Sequence, residues 1–109
     1  MKRFTYGFGY ETPQQRSLNE LHGWDDEDSA EIIVRADTAE AARSWGREVA
    51  AASVRYLFEQ AGVPETPTWR EAAYAEWVSE ASAHDTGPEV AVGEFPDLAW
   101  LVHTPPAGR

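Results

Sequence analysis

The chain contains no cysteine, a single lysine (Lys2), and no apolar run longer than the five residues Leu98-Ala99-Trp100-Leu101-Val102. Each shortage removes a class of chemistry. Without sulfur there is no disulfide, no thiolate nucleophile and no cysteine-based zinc site, a composition at home in a reducing cytoplasm. With Lys2 alone, Schiff-base chemistry and a glycine-lysine phosphate loop have almost nothing to draw on. An apolar run of five residues falls far short of the roughly 20 that a membrane-spanning helix needs. Lys2-Arg3 resembles the charged start of a signal peptide, but the alternating Phe4-Thr5-Tyr6-Gly7-Phe8-Gly9 behind it supplies no apolar segment. Positive charge is scarce as well: 9 basic residues face 19 acidic ones, a formal net charge of −10. A field of that sign disfavours nucleic acid and anionic membrane, favours solubility, and raises the encounter rate with basic partners.

Aromatics are plentiful, with five Trp, four Tyr and four Phe among 109 residues that are 42% apolar. Large rings bury much area per residue, so one core without staples is feasible at this length. The expectation is a single domain over residues 1–103, followed by a flexible tail, 104–109, that holds two prolines and a glycine.

Residues 3–10 alternate strictly and predict a strand. Phe4, Tyr6, Phe8 and Tyr10 share one face; Thr5, Gly7 and Gly9 share the other, where the glycines leave room for a backbone or a large ring. The four rings are expected in the core. Were helices to cover the glycine face instead, the rings would form an exposed docking patch. Thr12-Pro13 with Gln15 reads as a helix start and Gly23 as its end, with Leu18 and Leu21 as an apolar stripe. Residues 30–35 predict a second strand. Asp37 with Glu40 predicts a capping box for a long helix, 38–61, stopped by Gly62 and Pro64. Its stripe is expected at Ala41, Trp45, Val49, Ala52, Tyr56 and Leu57, flanked by the small residues Gly46, Ala50 and Ser53. A second helix is expected from about 67–69 to 83, capped by Thr66 or by Thr68 with Glu71. Strands are expected over 89–94 and 98–103. The fold class is therefore α+β: a single sheet of about four strands with two main helices packed mostly on one face.

The densest charge is the run Asp25-Asp26-Glu27-Asp28, behind His22-Gly23-Trp24. Four adjacent carboxylates repel one another, so they are solvated, neutralised by a cation, or available to a basic partner. A calcium-loop register from Asp26 fails, because Glu31 stands where glycine is required. Gly7-Phe8-Gly9 lacks the third glycine of a dinucleotide loop. The histidines, His22, His84 and His103, include no triad partner fixed by spacing, and His84-Asp85 is expected at a helix C-terminus. Arg43 and Arg47, one turn apart, repel each other unless answered, and the acidic run is expected to fold back against them.

These features point to a small acidic interaction module, inhibitor- or immunity-like, that binds a basic protein. Its contact surface is assigned to Trp24, Asp25, Asp26, Glu27 and Asp28, with Tyr10 at the strand end. No cofactor, resident metal or enzymatic reaction is specified by any motif. The competing expectation is a small enzyme or metal- or ligand-binding domain using His22 with Asp25, Asp26 and Asp28. Two further readings are a nucleic-acid mimic displaying Glu71, Glu76 and Glu80, and a self-associating subunit, since a homodimer is compatible with the aromatic strand. The expected compartment is the cytoplasm.

Overall fold

In a computed structural model, described over residues 1–72 and 74–103, the alternating N-terminal segment forms strand β1 (Lys2–Tyr10). The expected tail, 104–109, lies outside the described residues. Helix α1 (Pro13–His22) follows, then strand β2 (Asp28–Ala36), helix α2 (Ala39–Ala61) and the single turn α3 (Trp69–Ala72). Strands β3 (Glu76–Glu80) and β4 (Glu89–Ala91) and helix α4 (Leu98–His103) complete the order. The sheet runs β3-β1-β2-β4, with β1 antiparallel to both neighbours and β4 parallel to β2. One four-stranded sheet with helices makes the domain α+β, and no described helix is long and apolar enough to cross a membrane.

The even residues of β1 face α2. Phe4, Tyr6, Phe8 and Tyr10 are all buried, joined by Ile32 and Val34 of β2 and by Val49, Val54 and Phe58 of α2. Phe8 meets Trp69 edge-on, with ring centroids 5.9 Å apart, and Trp69 Nε1 donates to the Gly9 carbonyl at 2.7 Å. Val49, Ala52 and Leu57 of the expected α2 stripe are buried, but the helix is turned toward its small residues. The small residues that were to flank the contact, Gly46, Ala50 and Ser53, lie at its centre, while Ala41, Trp45 and Tyr56 are only partly buried. The cause is steric: the Tyr6 ring fills the space where a Gly46 side chain would stand, so the helix turns its thinnest line toward the sheet. Its cap is Thr38 rather than Asp37, since Thr38 Oγ1 accepts from the Ala41 N–H at 3.1 Å. Gly62, at φ 68°, closes it in the left-handed conformation expected of a glycine stop.

Two expected elements are replaced. The helix over 69–83 stops as α3, which Thr68 and Glu71 cap reciprocally, and residues 76–80 pair with β1 instead. Glutamate and alanine in that stretch favour helix locally, but β1 has an open edge. Pairing there sends Trp77 to one face of the sheet and Val78 to the other, so tertiary context overrides propensity. Residues 98–103 form a helix rather than a strand. Asp97 caps it, with Oδ1 accepting from the Trp100 N–H at 3.2 Å, and Leu101 and Val102 bury against the core. β4 ends early because Gly93 takes φ 96° in a turn where the Glu94 N–H bonds the Ala91 carbonyl at 3.0 Å. With Glu71 on α3 and Glu76 and Glu80 on β3, no helical row of carboxylates forms.

Candidate functional site

The face of the sheet away from α2 is where the glycines matter. Gly7 lies beneath the indole of Trp77, whose Nε1, Cε2 and Cζ2 occupy the space of a β-carbon. Trp77 Nε1 donates to Glu31 Oε2 at 3.0 Å, fixing the ring across β1. A carboxylate oxygen of Glu27 stands 2.6 Å from where a Gly9 β-carbon would be. Gly7 and Gly9 are same-face neighbours about 7 Å apart along the strand. Trp77, Glu31 and Glu27 therefore form one continuous strip over β1 and β2. Beyond them, Thr5 Oγ1 donates to Asp85 Oδ2 at 2.8 Å, closing the 82–85 turn over the same face.

The acidic segment 24–28 adjoins this strip and is held by its backbone. Asn19, 6% exposed, donates through Nδ2 to the Asp26 carbonyl at 2.9 Å and accepts from the Asp26 N–H at 3.4 Å. The Gly23 and Trp24 N–H groups both reach the Asn19 carbonyl. The polar Asn19, and not Leu18 and Leu21, anchors α1; Leu21 is 75% exposed. With the main chain held, Asp25 and Asp26 are exposed while Glu27 lays its carboxylate over Gly9, and Trp24 stacks on His22 at 4.3 Å and 20° while remaining 51% exposed. Asp28 is half-buried opposite Tyr10 in the β1–β2 register.

Tyr10 does not belong to the surface. It is 3% exposed, with its hydroxyl directed at the Val102 carbonyl at 3.4 Å, because alternation places it on the helix-covered face with Phe8. The expected contact between the acidic run and Arg43 and Arg47 is also absent. Arg47 donates to both oxygens of Glu76, at 2.9 and 3.0 Å from Nε, and Arg43 Nε stands 3.9 Å from the same carboxylate. The acidic run leads into the start of β2 and the arginines follow its end, while β3 carries Glu76 in beside Tyr6, whose hydroxyl donates to it at 2.8 Å. The His84-Asp85 pair sits in a turn, not at a helix end, with Asp85 accepting from the Ser82 N–H.

Electrostatics sharpen the contrast between carboxylates. Among the described residues, ion pairs take up Lys2, Arg3, Arg16, Arg35, Arg43, Arg47 and Arg70, and none reaches Asp25, Asp26 or Glu27. Partial desolvation, then the charges of Asp25 and Glu11, push the Glu27 carboxyl up. Glu76 is held below the usual range, chiefly by the hydrogen bonds from Arg47. At Glu11 burial pushes upward, but hydrogen bonds from Tyr74 and Asn19 and the charge of Arg16 outweigh it. No three His, Asp or Glu side chains among the described residues converge on a point that could hold a metal ion. That removes the geometric basis for joining His22 to Asp25, Asp26 and Asp28 around one.

Sequence reasoning singled out the acidic loop but did not place Trp77 and Glu31 beside it. The signal was present in the Gly7-x-Gly9 spacing, which calls for a large group above the strand; assigning Trp77 to a helix hid its owner. No protein family, curated protein or solved structure matches the chain.

Proposed function

We propose that the protein is a small acidic interaction module, inhibitor- or immunity-like, that binds a basic protein through Trp24, Asp25, Asp26 and Glu27, with Glu31 and Trp77 beside them. One observation carries the reading: among the described residues seven of the chain's cations pair with other glutamates and none with Asp25, Asp26 or Glu27, on a backbone that Asn19 holds in place. A main chain fixed in advance lowers the ordering cost of binding. Exposed indoles beside carboxylates are the residue types that supply hot spots to an arginine-bearing partner, by stacking and by charge. The surplus of negative charge steers the approach.

The test compares capture of basic proteins from lysate by the immobilised chain, by Trp24→Ala, and by a triple variant Asp25→Asn, Asp26→Asn, Glu27→Gln. The expected result is a basic protein retained at about 50 mM salt, released by about 500 mM, and lost from the triple variant. Equal capture by the triple variant, or no basic protein at either salt, overturns the reading.

A further inference from the structure

The two edges of the sheet are finished differently. At one edge β4 is three residues long, and its outward Ala91 N–H donates to Glu94 Oε1 at 2.8 Å. At the other edge β3 is five residues long and pairs with β1, residue for residue, from Glu76 to Glu80. The Gly9 N–H reaches the Ala75 carbonyl and the Ala81 N–H reaches the Arg3 carbonyl. In an antiparallel ladder that alternation makes Trp77 and Ser79 the residues bonded to β1. The N–H and C=O groups of Glu76, Val78 and Glu80 therefore point away from the sheet, and among the described residues no further strand or turn answers them. Natural edges are commonly blunted by lysine, proline or a bulge; β3 has none of these. It is also accessible, since Trp77 is 39% exposed and Ser79 and Glu80 are exposed.

We propose that the free edge of β3 takes up an extended segment of a basic protein as a fifth strand, with arginine or lysine at alternate positions on the Trp77 face. That the occupant is basic rests on the function proposed above; the open edge does not. Main-chain bonds to Glu76, Val78 and Glu80 supply the attachment, and the side chains on either face select the sequence. Charge decides between occupants. β3 carries two carboxylates and no cation, in a chain of net charge −10. A second copy of the chain brings the same charge, and pairing two β3 strands antiparallel about Val78 sets Glu76 of one opposite Glu80 of the other, which is unfavourable. An added strand lies about 4.8 Å beyond β3. From there an arginine reaches the exposed part of the Trp77 indole, which is held in place over Gly7 by its bond to Glu31. On the opposite face Val78, partly buried against the core, offers an apolar contact.

The experiment titrates the isotope-labelled chain with the acetylated, amidated peptide Val-Arg-Val-Arg-Val-Arg-Val at about 50 mM salt, and follows amide resonances and hydrogen exchange. The Val78 and Glu80 N–H groups, open in the free chain, are expected to become protected as the peptide saturates, with Kd of about 1 mM. The same peptide with glutamate in place of arginine is expected to bind at least about tenfold more weakly. Methyl groups on the valine nitrogens and on the arginine nitrogens lie on opposite edges of an extended strand. Of those two methylated peptides, one is expected to lose at least about tenfold in affinity and the other to bind like the parent. Val78→Pro removes only an outward N–H, which an edge strand tolerates, and is expected to lose binding while still melting cooperatively; if it does not fold, the methylated pair decides alone. The triple variant Asp25→Asn, Asp26→Asn, Glu27→Gln is expected to keep the protection at β3, which separates a failure of the acidic loop from a failure of the edge. Equal binding by the two methylated peptides, a glutamate peptide that binds as tightly, protection that spares Val78 and Glu80, or its loss in the triple variant overturns the proposal.

Discussion

Trp77 covers the α-carbon of Gly7 with its indole and is anchored there by the hydrogen bond to Glu31. Any side chain at position 7 must displace that ring. Gly7→Ala is expected to destabilise by about 1–3 kcal/mol, the usual cost of overpacking, or several degrees in Tm for a domain of this size. A ring that swings off the sheet enters water, so tryptophan emission should move to the red. An unchanged melt and spectrum would show that Trp77 is not seated on Gly7.

Gly46→Ala pits two effects against each other. Alanine in a helix interior gains about 1 kcal/mol over glycine, but the new methyl group meets the Tyr6 ring. Tyr6 is fully buried and its hydroxyl is tied to Glu76, so it has little freedom to retreat. Overpacking of about 1–3 kcal/mol should win, and the variant should melt lower than the native chain. A higher Tm would mean that α2 can lift from the sheet at little cost.

Acid should weaken the fold partly through Glu76. Its carboxyl is depressed in the folded state, chiefly by Arg47. The unfolded chain therefore takes up that proton first, near pH 4.3. The stabilisation is complete above about that pH and is lost as pH falls through the lower folded value. Glu76→Gln should reduce stability at neutral pH by on the order of 1 kcal/mol and flatten the acid limb of a Tm–pH curve. An acid limb parallel to that of the native chain would remove Glu76 from the account.

Glu27 should behave in the opposite sense. Its folded carboxyl is raised by desolvation and by Asp25 and Glu11, so the folded state holds the proton more tightly than the unfolded one. Stability then declines as pH rises from about 4.3 through the folded value. Glu27→Gln is expected to raise stability modestly at pH 7, by less than about 1 kcal/mol for so exposed a group, seen as a small rise in Tm that fades in acid. The same change should weaken capture of a basic partner, because a cation beside Glu27 is what would relieve its strain.

Strand β1 and the end of α2 were legible because alternation in β1 is strict and the stop at Gly62 is chemically unambiguous. The acidic loop was legible as charge, but not its anchoring, since nothing about Asn19 in a helix announces that it will hold Asp26. Residues 76–80 were illegible for a different reason. Glu76, Trp77, Val78, Ser79 and Glu80 satisfy a helical and a strand pattern equally, and the choice is made by the vacant edge of β1, a partner more than sixty residues away in the chain. The answering charge for Arg43 and Arg47 was misassigned with it, because Glu76 reaches them only from the strand.

The Ile33 N–H bonds the Pro88 carbonyl at 2.8 Å, and β4 then lies parallel to β2. These partners are separated by about half of the given sequence, so β4 cannot dock until the elements between have been synthesised. Closing so long a span carries an entropic cost that neighbouring contacts do not share. On the ribosome the long helix has its local bonds available early, whereas the outer edge of β2 stays bare until residues 89–91 have been made.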